Sequence, residues 1–524
     1  MPERNTMKKI QELQQVKGDA YDYYIAGNED TDLFEKIFLV DDIVEEICKP
    51  DKYFLIGEKG SGKTAYSVYM SKSDKINSFC SISLVENTLY HIFLNMKRQK
   101  ALELSSFKDV WINLIYLILA EKIRKEYGET FFSSIKYKQL SKAIDVFYSD
   151  AFKPEFVNAF EFVDNASASI NSMMKQGLFS TGTKASAETS QKYVEQSFQI
   201  SLLKIRDGFE KAFMSVNLKK PTILFVDGID ARPRDIDNEQ YFECLVGLVN
   251  AVLEMNQSFL KEKQIKIMLL IRPDIMYKMP VHNMNQKLRN NSVLLNWVTS
   301  YRKYIDSKLF KIADDYFMKQ QDYSYELGEC WNYYFPYKVE YQEKWKAPDN
   351  PFVEFLRYSL YKPRDILTML NEMVDATSGT QFKHSDFEGI LSNYSTYLKG
   401  ELKDYMLIYM DDSDYNNFSI FFDYFQGHRN YKFFEEKHLE YIKYLRELGR
   451  KIPPFMETAS EALQLLYDTN IICYKIYETL PNGKRKNKMF WSYKERNYAN
   501  MQPEVKKGGE YSFHMAYARA FRLF

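Results

Sequence analysis

The chain has 524 residues, 45% of them hydrophobic, and its 71 Lys plus Arg balance 71 Asp plus Glu. That length accommodates about three domains, and the balance leaves no global charge to favour nucleic acid or membrane, although a local basic patch stays open. Five scattered cysteines (Cys48, Cys80, Cys244, Cys330, Cys473), without a CxxC spacing, argue against a disulfide framework or a zinc site and fit a reducing compartment.

The N-terminal stretch MPERNTMKKIQELQQ is polar and lacks the apolar core of a signal peptide. The first buried strand is expected at 53–56. It runs into Gly57-Glu58-Lys59-Gly60-Ser61-Gly62-Lys63-Thr64, which fits GxxxxGK[ST], and then into a segment able to continue as helix. Glycines let the backbone curl so that successive N–H groups face phosphates, and the helix start adds its positive dipole end. Lys63 is placed to reach the β- and γ-phosphates, and the Thr64 hydroxyl to ligand Mg²⁺. Gly57 through Ala65 therefore form the expected binding loop for ATP. A plain glycine turn is the alternative, but a chance match is on the order of one in a hundred.

A second strand is expected at 79–84 and a helix over 107–127. The apolar run VWINLIYLILA at 110–120 is too short to span a bilayer, which needs about 20 residues, and reads as a buried helix. These features together place the protein in the cytoplasm, away from membrane. The Ser-, Ala-, Thr- and Gly-rich tract at 164–192 reads as a mobile insertion or loop.

In TILFVDGIDARPRD, apolar residues at 223–226 lead into Asp227, placed to hold Mg²⁺, and Asp230 could orient or deprotonate the attacking water. The run at 265–271 ends in Arg272-Pro273-Asp274, so Arg272 is a candidate sensor of the γ-phosphate with Asp274 as partner. A surface arginine capping a strand is the competing reading. A fifth strand is expected at 292–297. Short apolar runs alternating with helical patterns imply a parallel sheet covered by helices.

Beyond Trp297 the pattern is mainly helical to about residue 400. In YKPRDILTML, Pro363 suits a first helical turn, and Arg364 is either a sensor on a lid over the nucleotide or a helix-start ion pair. Arg289, Arg232 and Arg234 are candidates for an arginine finger acting between subunits. From 460 a helix, a turn at 468–470, a strand, a Pro-Asn-Gly turn and a returning strand at 489–493 resemble the tail of a winged helix. Lys484, Arg485, Lys486, Lys488, Lys494 and Arg496 against Glu495 give this wing a net charge of +5. That suits nucleic-acid phosphates, with Lys484, Arg485, Lys486 and Lys488 as contacts. His514 has no companion ligand and reads as structural.

Taken together, VDGIDARPRDIDNEQYFECLVGLVNAV, LLIRPDI, NNSVLLNWVTSYRKY and KPRDIL resemble the bacterial FunZ-type P-loop ATPases, from about residue 41 to the C-terminus apart from the Ser-rich insertion. The resemblance implies an AAA+/STAND-like ATPase with links to DNA transactions and anti-phage defence. The expected fold is α/β: a P-loop NTPase core with a parallel five-stranded sheet over 1–300, with an insertion at about 128–218, a helical lid over 301–400, and a winged-helix-like domain over 401–524. Three functions are open: a nucleotide-gated switch that forms homo-oligomers and controls a separate effector protein, a DNA- or RNA-binding ATPase, and a nucleotide-bound scaffold that does not hydrolyse.

Overall fold

The computed structural model describes residues 7–25, 28–85, 107–132, 137–150, 202–230, 232, 238–279, 284–340, 348–427, 430–431, 434–479 and 485–523. The tract at 164–192 lies outside them. The chain forms two compact units, one of Glu45–Ile56 and Met70–Val293, the other of Met1–Val44, Gly57–Tyr69 and Leu294–Phe524. The glycine-rich loop thus leaves its strand in the first unit and groups with the C-terminal half of the chain.

In the first unit, β1 (Phe54–Ile56), β2 (Phe79–Leu84), β3 (Thr222–Asp227), β4 (Ile265–Ile271) and β5 (Ser292–Leu294) build one parallel sheet in the order β2-β3-β4-β1-β5. Every residue of β1, β3 and β4 is buried, as a parallel sheet covered on both faces requires. Register is set by pairs such as Phe54 with Leu269 and Ser81 with Leu224. In β4 the exception to apolar character is Lys266, whose ammonium reaches the carbonyls of Ile47 and, at 2.8 Å, Lys49 at the end of α1 (Asp42–Cys48). Burial lowers its pKa to about 8.

The glycine loop is followed by α2 (Lys63–Lys72). The expected helix over 107–127 is the first part of α3 (Phe107–Phe132), which is kinked at Gly128 with non-helical φ 74° and ψ 166°. It packs on α4 (Asn238–Asn256) where Gly247 permits close approach: a Cβ there would lie 2.6 Å from the Phe107 Cβ. Trp111 donates to the Cys244 carbonyl at 3.0 Å, and buried Asn256 bonds both Ile267 N and Ile267 O, tying α4 to β4. The apolar run at 110–120 is buried throughout. Among the described residues, no helix is long and apolar enough to cross a membrane.

The second unit is helical with a separate antiparallel sheet. After α5 (Pro273–Lys278) of the first unit come α6 (Lys308–Met318), α7 (Pro363–Ala376), α8 (His384–Met406), α9 (Phe434–Glu447) and α10 (Ala459–Asp468). An aromatic core of Phe310, Trp331, Phe335, Phe352 and Phe355 holds the helices near α6, and buried Asp314 accepts from Gly328 N and Trp331 N. The expected domain boundary at 400 falls inside α8, a continuous helix packed against α12 (Met515–Ala520).

The antiparallel sheet runs β6-β9-β7-β8, with β6 (Asn430–Tyr431), β7 (Ile472–Thr479), β8 (Arg485–Phe490) and β9 (Glu510–Phe513). The returning strand therefore covers 485–490 rather than 489–493. Its last pair is Tyr474 with Phe490, whose rings stack at 5.0 Å. Beyond it Asn470 Oδ1 accepts from Tyr493 N, and the chain turns into the short α11 (Ser492–Glu495). Strand β5 likewise stops at Leu294, because Asn296 Oδ1 accepts from Val298 N and Trp297 turns its indole to the Ser61 carbonyl at 2.9 Å.

Candidate functional site

The loop Gly57–Thr64 connects the C-terminal end of β1 to the first residue of α2. Gly60 and Gly62 take left-handed φ values of 83° and 95°, which an L side chain rarely adopts. At Gly57 a Cβ would meet the Ser61 Oγ at 2.2 Å. The loop is drawn inward by Lys63, only 8% exposed, whose ammonium donates to Gly57 O at 2.9 Å and Glu58 O at 3.2 Å. Ser61 Oγ is buried with no hydrogen-bond partner among the described residues. These features fit a phosphate group: a loop whose left-handed turns at Gly60 and Gly62 favour glycine, a lysine at its throat, and a helix start behind it. Thr64, in the first turn of α2, is half-buried, as is Ala65.

Three further elements fix this loop within its unit. Tyr66 of α2 donates to both oxygens of Asp41, at 2.9 and 3.0 Å, and Lys308 bridges Asp41 and Asp42 at 2.7 Å. Gly60 O accepts from Arg364 N at 3.4 Å, at the start of α7, where Pro363 occupies the first turn. Arg364 pairs with Glu401 of α8 at 3.5 Å, and Glu401 also pairs with Lys59 at 3.3 Å. The helix-start ion pair anticipated for Arg364 is therefore present, and its backbone touches the glycine loop as well.

Glu58 and Lys59 occupy the variable positions of the motif, yet both are engaged. Glu58 pairs with Arg496 through one oxygen, and through the other meets Lys362 Nζ at 3.2 Å and Asn470 Nδ2 at 3.4 Å. Lys59 also reaches Asp404 at 3.1 Å. The surrounding cavity, lined by Glu58, Lys59, Lys362, Arg364, Glu401 and Asn470 among others, has a volume of about 30 Å³, enough to admit water. Sequence reasoning missed Lys362, Asn470 and Arg496 as neighbours of the loop. Arg496 was expected on a basic wing; instead it is 7% exposed, with Nε on Met501 O and Nη2 on Ser492 Oγ, both at 3.0 Å.

In the sheet unit, Asp227 is the last residue of β3 and is 7% exposed; its Oδ1 accepts from Gly228 N at 2.8 Å. Gly228 has φ 79°, and a Cβ there would press on Val85 O at 3.2 Å. The Ile229 carbonyl accepts from Tyr241 OH at 2.5 Å, which holds the turn carrying half-buried Asp230. Arg272, directly after β4, is 1% exposed and forms a two-pronged pair with Asp274 at 3.0 and 2.6 Å. It is a buried arginine, not a surface cap. Strand β4 lies between β1 and β3, so the residues that leave β1, β3 and β4 depart from the same edge of the parallel sheet, the edge at which α/β folds bind ligands.

The remaining candidates are dispersed. Arg289 is exposed in the last turn of the helix Met284–Asn291, Arg232 is half-buried, and Arg234 lies outside the described residues. Lys484 also lies outside them, while Arg485 and Lys486 belong to β8. Lys488 pairs across the hairpin with Glu478 at 2.8 Å, and the Lys494 ammonium sits over the rings of Tyr361 and Tyr493 at 4.6 and 5.7 Å. The net +5 expected of the wing is reduced accordingly: Lys488 and Arg496 both have carboxylate partners. His514 is buried and shares a hydrogen bond with Ser359 O at 3.1 Å, a packing role. Comparison of the chain with family models, curated proteins and solved structures finds no match.

Proposed function

We propose that the protein is a P-loop ATPase of AAA+/STAND-like character whose nucleotide state sets the arrangement of its helical and C-terminal regions. The observation that carries the reading is the loop itself: left-handed Gly60 and Gly62, and Lys63 folded onto the loop carbonyls at the start of α2. The sheet order adds support, since acid-ended β3 stands one strand from β1 and the strand between them ends in buried Arg272. Loop amides and Lys63 would hold the β- and γ-phosphates of ATP. Thr64 and Asp227 would hold Mg²⁺, which when bound neutralises charge developing on the phosphates. Asp230 would orient water or take its proton. Arg272, kept in place by Asp274, would report on the γ-phosphate, and Arg364 would carry that report to the lid.

On this reading the protein acts as a switch in anti-phage defence that forms homo-oligomers and controls a separate effector. Phosphate release by wild type and Lys63→Ala, with and without duplex or single-stranded DNA, tests it. Turnover in wild type alone, indifferent to DNA, fits the switch. Turnover stimulated by DNA replaces it with a DNA-binding ATPase. Tightly held nucleotide without turnover replaces it with a scaffold.

A further inference from the structure

The motif asks nothing of the side chain at the second position of the glycine loop, and here that side chain is Glu58, 19% exposed. Its main chain and its side chain serve different parts of the molecule. The Glu58 carbonyl accepts from Lys63 Nζ at 3.2 Å. The carboxylate meets Arg496 and Asn470, both in the C-terminal region, and Lys362 at the start of α7. Asn470 is 2% exposed and left-handed at φ 58°, the hinge between α10 and β7, and its Oδ1 also receives Tyr493 N. Arg496, just past α11, is anchored on Met501 O and Ser492 Oγ. One carboxylate thus touches both ends of the segment that contains the β7–β8 hairpin.

We propose that Glu58 is a latch linking the phosphate loop to the C-terminal region, released when nucleotide claims Lys63. A phosphate competes with the Glu58 carbonyl for the same ammonium. Once Lys63 turns away, the Glu58 carbonyl keeps only the Ser61 N–H at 3.1 Å of these two donors, its peptide is held less firmly, and its carboxylate leaves Arg496 and Asn470. A ligand shifts a conformational equilibrium only through contacts that differ between its states, and the Lys63 ammonium supplies that difference. The coupling is reciprocal: whatever nucleotide does to the latch, breaking the latch does to nucleotide affinity. The inference rests on the nucleotide reading above.

The test combines ATP–Mg²⁺ titration calorimetry with hydrogen exchange across 459–513 on the full chain, for wild type, Lys63→Ala, Glu58→Gln and the milder Lys362→Met. In wild type, ATP is expected to raise exchange in β7 and α11. In Glu58→Gln that response is lost, exchange there is already high without ATP, and affinity for ATP rises about tenfold; Lys362→Met gives the same changes at smaller amplitude. If wild type binds ATP and Lys63→Ala does not, yet both latch variants keep wild-type affinity and response, the latch is overturned while the nucleotide site stands. A variant that only melts earlier, with affinity and ATP response unchanged, also overturns it. Absence of ATP binding by wild type removes the nucleotide reading and the latch with it.

Discussion

Two charged arrangements in this protein are built on opposite principles. At the exit of β4, Arg272 is neutralised by Asp274 two residues away. At the exit of β1, Glu58 is neutralised by Lys362 and Arg496, the latter 438 positions along the chain. The first is a pair that one turn of backbone can set up. The second exists only when distant segments have docked, so its charge balance reports whether they remain docked. A local pair fixes a side chain's direction from neighbouring backbone, whereas a long-range one makes a loop sensitive to the arrangement of the unit around it.

The largest expected effect falls on the loop. Lys63→Ala removes both the cation proposed to meet the phosphates and the bonds that shape the loop, and should lower ATP turnover about a hundredfold or more, read as phosphate release. Asp227→Asn should lose Mg²⁺-dependent turnover to a similar degree while the protein still binds ATP, which calorimetry separates from turnover. Equal loss of binding in both variants would show that Asp227 shapes the loop instead of holding the metal.

The two charge arrangements should then diverge in stability. Arg496→Ala leaves Glu58 with Lys362 and Asn470 but empties a buried guanidinium site, and should cost about 2–3 kcal/mol in urea unfolding. Asp365 offers a pH test beside the same loop. It is 4% exposed, accepts from Leu360 N at 2.7 Å, and burial raises its pKa to about 6. The folded state therefore keeps a proton that the unfolded chain has released, so stability falls as pH rises from about 4 to 6. Asp365→Asn should flatten that slope, and an unchanged slope would mean another acid sets it. The smallest effect is expected at the exposed Lys488–Glu478 pair, where Lys488→Ala should change stability by less than about 1 kcal/mol. A larger loss there would mean the hairpin is held by charge as much as by the Tyr474–Phe490 stack.

Much of the fold was legible because it is written locally. Apolar runs mark β1, β3 and, Lys266 apart, β4, since strands buried on both faces cannot alternate, and Pro363 marks the start of α7; the edge strand β2 is only partly buried and carries Ser81 and Ser83. Errors arose where a partner outside the segment decides the conformation. Strand β5 ends early because Trp297 bonds Ser61 O, and the return of β8 is displaced because Asn470 turns Tyr493 into α11. A boundary placed at residue 400 cuts α8, since a single glycine in a helix costs about 1 kcal/mol and packing overrides it.

The amino-acid sequence by itself determined the elements whose causes lie within a few residues: the glycine curl before Lys63, the apolar strands, the acid ending β3, the Arg272–Asp274 pairing. Tertiary structure alone decided the strand order that sets β4 between β1 and β3, the grouping of the glycine loop with the C-terminal half, and the inward turn of Arg496 to Glu58. A cation in a sequence shows only its charge; whether it faces water or a carboxylate depends on which buried surface its segment must cover, and that is settled only when the segments pack.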